Sequence, residues 1–172
     1  MMSKIENSTA YVIKRIKTLK GENPGKKALQ KLVFLMVEKG IPLNYEFGIH
    51  FYGPYCDSLS MEINSLRAYD VVNIVESGYS HKINVNDSIE ILPSGLTDEH
   101  IQAVDDVIIK FKNMSPSDLE LLTTAIYAYN HLEDKSKESV TAGVKKIKGE
   151  KYPDDKIRLS LNDFAYFNKA FS

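Results

Sequence analysis

The stretch from Asn23 to Gly40 constrains this chain most. Leu29, Leu32, Val33, Leu35, Met36 and Val37 crowd an interval of helical length. Asn23 suits an N-cap, Pro24 suits the first helical position, and Gly40 suits the stop. A helix apolar on so many sides must be buried on most of them. The chain therefore has to supply enough further elements to surround it. It has 172 residues, 43% of them hydrophobic and 26% charged. That is ordinary for a globular protein and wrong for a disordered one. We expect one domain spanning 1–172, built as a core over 1–95 and a helical part over 96–172.

Other classes are excluded by what the sequence lacks. No apolar run approaches the ~20 residues that span a bilayer, so no membrane role is expected. The start MMSKIENSTA has no apolar signal-peptide core. Cys56 stands alone, which leaves no intrachain disulfide framework and fits a reducing cytoplasm.

The remaining elements follow from periodicity. Ile5, Thr9, Val12, Ile13, Ile16 and Leu19 recur at three- and four-residue spacing, which predicts a helix over 3–19 ended by Gly21. Tyr45, Phe47, Ile49 and Phe51 alternate with Glu46, Gly48, His50 and Tyr52, which predicts a half-buried strand. Gly53-Pro54 breaks it, and a helix follows over about 55–69 with Leu59, Ile63 and Leu66 on one face. Val71–Val75, Ile83–Val85 and Ile89–Leu92 read as a hairpin or three-stranded ribbon. Thr97 caps a helix to about Lys112, and Ser115-Pro116-Ser117-Asp118 opens the next as a capping box with aspartate in place of glutamate. Ser136 caps a third. Phe164 and Phe167 mark a closing helix over 161–170. The fold class expected is mostly helical α+β. Its first half follows the element order of a winged helix with a small antiparallel ribbon, and a helical tail completes it.

Two motifs go beyond generic patterning. One is Leu29-Gln30-Lys31-Leu32-Val33-Phe34-Leu35; the other is Phe51-Tyr52-Gly53-Pro54-Tyr55-Cys56-Asp57-Ser58-Leu59, which opens a helix. Over residues 24–75 this pairing resembles the YwgA-like proteins of bacteria. More distantly it is similar to the SocA-like, or Panacea, domain. The resemblance implies a compact, mostly helical domain. Its Panacea side implies toxin neutralisation or proteolytic-adaptor work through protein–protein contact. Tyr52, Gly53, Pro54 and Tyr55 are the candidate partner-binding residues: Pro54 fixes φ and Gly53 admits angles closed to other residues, giving a strand-to-helix corner flanked by tyrosines. A packed structural corner accounts for the same residues.

Charge leaves a second reading open. Residues 1–40 carry +6, residues 41–134 carry −11 and residues 135–172 carry +4, within a net charge of −1. Solvated helix faces explain such blocks, and so does a nucleic-acid face beside an acidic one. In the nucleic-acid reading Lys26, Lys27 and Lys31 lead the phosphate contacts. The helix over 55–69 would be the recognition helix, yet it carries Asp57 and Glu62 against one cation, Arg67. That balance favours a protein partner, with a homodimer as one form of it.

No catalytic, cofactor or metal constellation is apparent. His50, His81, His100 and His131 are dispersed without metal-ligand spacing. Cys56 follows His50 by six residues but has no visible orienting group. There is no phosphate-binding glycine loop. The expectation is a binding protein without enzymatic activity.

Overall fold

A computed structural model of the protein describes residues 2–172. The chain forms two compact units. The first takes the chain up to Glu46 and again from Cys56 to Asn113; the second takes Phe47–Tyr55 and Met114–Ser172. The fold class is α+β and mostly helical, as the periodicity implied.

The first unit opens with strand β1 (Ser3–Glu6), where a helix was expected. Helix α1 (Ser8–Lys20) starts only after Asn7, whose side chain accepts from the Ala10 amide at 2.9 Å. An asparagine cap stops backward propagation of the helix, and the freed residues find a strand partner instead. That partner is β6 (Ile89–Leu92), paired in parallel with Ser3 opposite Ile89. β6 is thus outside the ribbon, and of the two forms expected, hairpin or three strands, the hairpin is found. The ribbon is a plain antiparallel hairpin of β4 (Val72–Ser77) and β5 (Ser80–Val85).

The central helix α2 (Lys26–Glu38) buries Leu29, Leu32, Val33, Leu35 and Met36, as its composition demanded. Its cap is Gly25, without a side-chain hydrogen bond, and not Asn23. Residues 24–25 are used elsewhere. The Pro24 carbonyl accepts from the Ile83 amide at 2.8 Å, and Gly25 bridges to Lys82. Pairing with β5 holds Pro24 and Gly25 extended, so the helix starts only at Lys26. Helix α3 (Asp57–Ala68) buries Leu59, Ile63 and Leu66. Helix α4 (Asp98–Phe111) begins at a Thr97–His100 capping box and packs on α1 and α2. Arg15 clamps it to α1 with two bonds to Asp105, at 2.9 and 2.8 Å.

The second unit is organised around α5 (Pro116–His131). Leu119, Leu121, Leu122, Thr123, Thr124, Ala125, Ile126 and Ala128 are all buried, so this helix is covered on nearly every side. Ser115 caps it by accepting from the Asp118 amide. Helix α6 (Lys137–Lys148), capped by Ser136, packs along α5. At Gly143 a Cβ would sit only 3.2 Å from the Ala128 Cβ, so glycine sets the approach of the two helices. The closing helix expected over 161–170 is present as a 3-10 helix over Leu161–Phe167, and it directly follows α7 (Asp154–Ser160). Leu161, Phe164 and Phe167 lie three apart, the spacing that stacks side chains on one 3-10 face, and all three are buried.

Candidate functional site

The Phe51-Tyr52-Gly53-Pro54-Tyr55 motif is a β-hairpin rather than a strand-to-helix corner. Strand β2 (Gly48–His50) pairs antiparallel with β3 (Gly53–Tyr55), with His50 opposite Gly53 and Ile49 opposite Pro54. The turn is Phe51-Tyr52, and Gly53-Pro54 continues the structure instead of breaking it. Pro54 therefore lies in a strand, two residues before the Cys56 N-cap of α3, and not in a helical turn. A strand in a two-stranded sheet has an unpaired edge, where the missing proline N–H costs nothing.

The expected burial alternation fails for the same reason. Tyr45 and Phe47 are half-buried, but Ile49 is exposed and Phe51 is 82% exposed. Tyr52 is 47% exposed. The rings of Phe51 and Tyr52 meet edge to face with centroids 5.0 Å apart. Tyr55 stacks on His50 across the hairpin at 4.7 Å. Gly53 and Pro54 are buried against α5. Of the four candidate residues, two form the seat of the hairpin, Tyr52 its tip and Tyr55 its side.

A hairpin this short is marginal alone and must be held by its surroundings. Gly53 has φ +91°, and a Cβ there would meet Thr124 Oγ1 at 2.9 Å. Only glycine allows the backbone to lie so close to α5 in this conformation. On the other side, the Lys148 ammonium donates to the Phe51 carbonyl and lies 5.5 Å from the centre of the Phe51 ring. Lys148 is also paired with Glu120, and their side chains are 5% and 10% exposed. Lys151 donates to both oxygens of the same carboxylate at 2.9 and 3.1 Å. Glu120, Thr124, Lys148 and Lys151 were missed in the sequence. Glu120 had a signal: it is a charged residue inside an otherwise apolar helical run.

Glu120 has two opposing influences on its pKa. Burial raises it, but the hydrogen bonds and charges of Lys148 and Lys151 outweigh burial and hold the carboxyl below its usual range. The unfolded chain therefore binds this proton more readily than the folded one. The Glu120 contribution to stability is complete above the ordinary glutamate value of about 4.3 and is lost as pH falls through the lowered folded value. Melting of the protein and of Glu120→Gln should differ at pH 6 and converge toward pH 3. A gap independent of pH would show that the carboxylate charge is irrelevant there.

In the first unit, the residue that follows the motif, Cys56, has its own restraint. Gln30 of α2 is 3% exposed. Its amide donates to the Cys56 carbonyl at 3.0 Å and accepts from the Cys56 amide at 2.9 Å. Cys56 itself is buried, its Sγ 3.1 Å from Ser58 Oγ. The residues of the alternative reading separate. Lys26 and Lys27 are exposed in the first turn of α2, whereas Lys31 is 5% exposed. On α3, Glu62 accepts from Asn7 Nδ2 at 2.7 Å. Among the described residues no three His, Cys, Asp or Glu side chains converge as metal ligands, and no helix is long and apolar enough to cross a membrane.

No known family model matches the sequence. Over 128 residues, 73% of this chain and 76% of the other, it is 27% identical to the uncharacterized protein YwgA of Bacillus subtilis (strain 168). The chain is thus similar to YwgA over most of its length, as the Leu29–Leu35 and Phe51–Tyr55 motifs had implied.

Proposed function

We propose that this protein is a non-enzymatic protein-interaction module that presents the Phe51–Tyr52 tip to a protein partner. The observation carrying this reading is a large apolar ring, 82% exposed, on a backbone fastened from both sides by Gly53 and Lys148. Aromatic side chains dominate interface energies, and a fixed backbone avoids the ordering cost that weakens flexible loops. Toxin neutralisation or proteolytic-adaptor work of the SocA/Panacea type is the finer form of this proposal. It rests on the resemblance of residues 24–75.

The competing proposal is a winged-helix nucleic-acid-binding regulator. Exposed Lys26 and Lys27 and the presence of the β4–β5 hairpin after α3 favour it. Burial of Lys31 removes one of its three leading phosphate contacts, and Asp57 on α3 faces phosphate with the wrong sign.

Two measurements separate the proposals. The protein and its Phe51→Ser variant are used as bait in native lysate. A specific partner should be recovered by the parent and reduced at least ~30-fold by the variant, the scale of a hot-spot loss of about 2 kcal/mol. Melting should be unchanged because the ring is exposed. Equal recovery by both baits removes the hairpin from the reading. Binding to random duplex DNA that falls steeply with salt, and is lost in Lys26→Ala/Lys27→Ala, would move the assignment to the regulator.

A further inference from the structure

A lysine–glutamate pair with side chains 5% and 10% exposed is an expensive way to hold two helices together. Removing two charges from water costs more than their attraction usually returns, and apolar replacements of similar volume are often as stable. Lys148 stands near the end of α6 and Glu120 in the first half of α5. The cohesion of these helices already has an apolar basis in Leu121, Leu122, Ala125, Val140 and Val144. What the ammonium adds is directional. One N–H goes to the Phe51 carbonyl, the charge lies over the Phe51 ring, and Glu120 holds the ammonium in place from behind. Lys151, 44% exposed, keeps the carboxylate oriented from the solvent side.

We infer that Lys148 and Glu120 are positioning residues for the hairpin tip, present to fix the direction in which Phe51 points rather than to stabilise the second unit. The bond to Lys148 is made by the backbone of Phe51. It therefore holds the tip whatever side chain stands at position 51. Gly53 and Pro54 seat the strand against α5, but Phe51 and Tyr52 lie beyond that seat. Without Lys148, Phe51 loses both the bond to its carbonyl and the charge over its ring. The tip then becomes a mobile aromatic, which still binds but must be ordered on binding. This assignment builds on the proposed role of the tip.

The chain contains no tryptophan, so Phe51→Trp installs a single reporter at the tip. Its time-resolved fluorescence anisotropy is measured in the parent background, with Lys148→Arg, and with Glu120→Leu/Lys148→Met. The expected result is slow, whole-molecule depolarisation in the parent and in Lys148→Arg, which keeps a donor. In the double variant a nanosecond component typical of loop motion should appear while the melting temperature stays close to the parent's. Unchanged anisotropy in the double variant overturns the assignment. So does loss of folding in that variant, since the pair would then be carrying stability. The readout involves no partner, so it can succeed or fail independently of the capture experiment with Phe51→Ser.

Discussion

Replacing Gly53 with alanine is expected to cost about 2–4 kcal/mol of folding stability, read as a lower urea midpoint. Two separate penalties combine. A side chain at φ +91° is strained by backbone geometry alone, and the new Cβ would stand 2.9 Å from Thr124 Oγ1, inside contact distance. The two are separable. Thr124 is fully buried and its hydroxyl has no hydrogen-bond partner among the described residues. Thr124→Ala alone should therefore be nearly neutral. Combined with Gly53→Ala, it should recover the steric part and leave the conformational part. The Glu120 Cγ, at 3.5 Å from the added carbon, is at ordinary contact distance and should not interfere. A Gly53→Ala protein as stable as the parent, or one not improved by Thr124→Ala, would mean that the hairpin does not sit against α5 as described.

Replacing Gln30 with leucine should cost about 2–3 kcal/mol although leucine fits the burial. The loss is polar. Cys56 caps α3 without a side-chain hydrogen bond, and the Gln30 amide supplies the restraint instead. After substitution the Cys56 carbonyl still accepts from Ser60 at 3.3 Å, but the Cys56 N–H is left buried without a partner. Hydrogen exchange at the Cys56 amide should accelerate along with the loss of stability. A cost below about 1 kcal/mol, with unchanged exchange, would show that the glutamine is dispensable.

Gln30 also illustrates what can be read in a sequence. Its helix was legible because Leu29, Leu32, Val33, Leu35 and Met36 leave no doubt about period or burial. Its role was not, because the partner is the backbone of Cys56, 26 residues away. The caps at Thr97, Ser115 and Ser136 were legible for the opposite reason: cap and amide lie three residues apart. The errors cluster where a distant strand competes for backbone. Residues 3–6 leave the helical pattern because Ile89–Leu92 offers a ladder, and Pro24 stays outside α2, where the first helical position was expected, because its carbonyl pairs with β5. At the hairpin, the period of two was correct for extended chain and misleading for burial. Alternation assumes a core beneath one face, whereas the core beneath β3 is α5, whose residues begin some sixty positions later. The motif itself stood out in the sequence. That Phe51 and Tyr52 would be its exposed end, and Lys148 its fastening, depended on that long-range packing.

The same separation in sequence has a consequence during synthesis. Phe51 leaves the ribosome roughly a hundred residues before Lys148 does, an interval of about 5–20 s at usual elongation rates. For most of it the hairpin has no α5 to lie on, and throughout it no Lys148 to fasten it. The nascent chain thus offers Ile49, Phe51 and Tyr52 as an unsheltered apolar segment. A chaperone that binds nascent chains would meet the aromatic tip before the helices that hold it are complete.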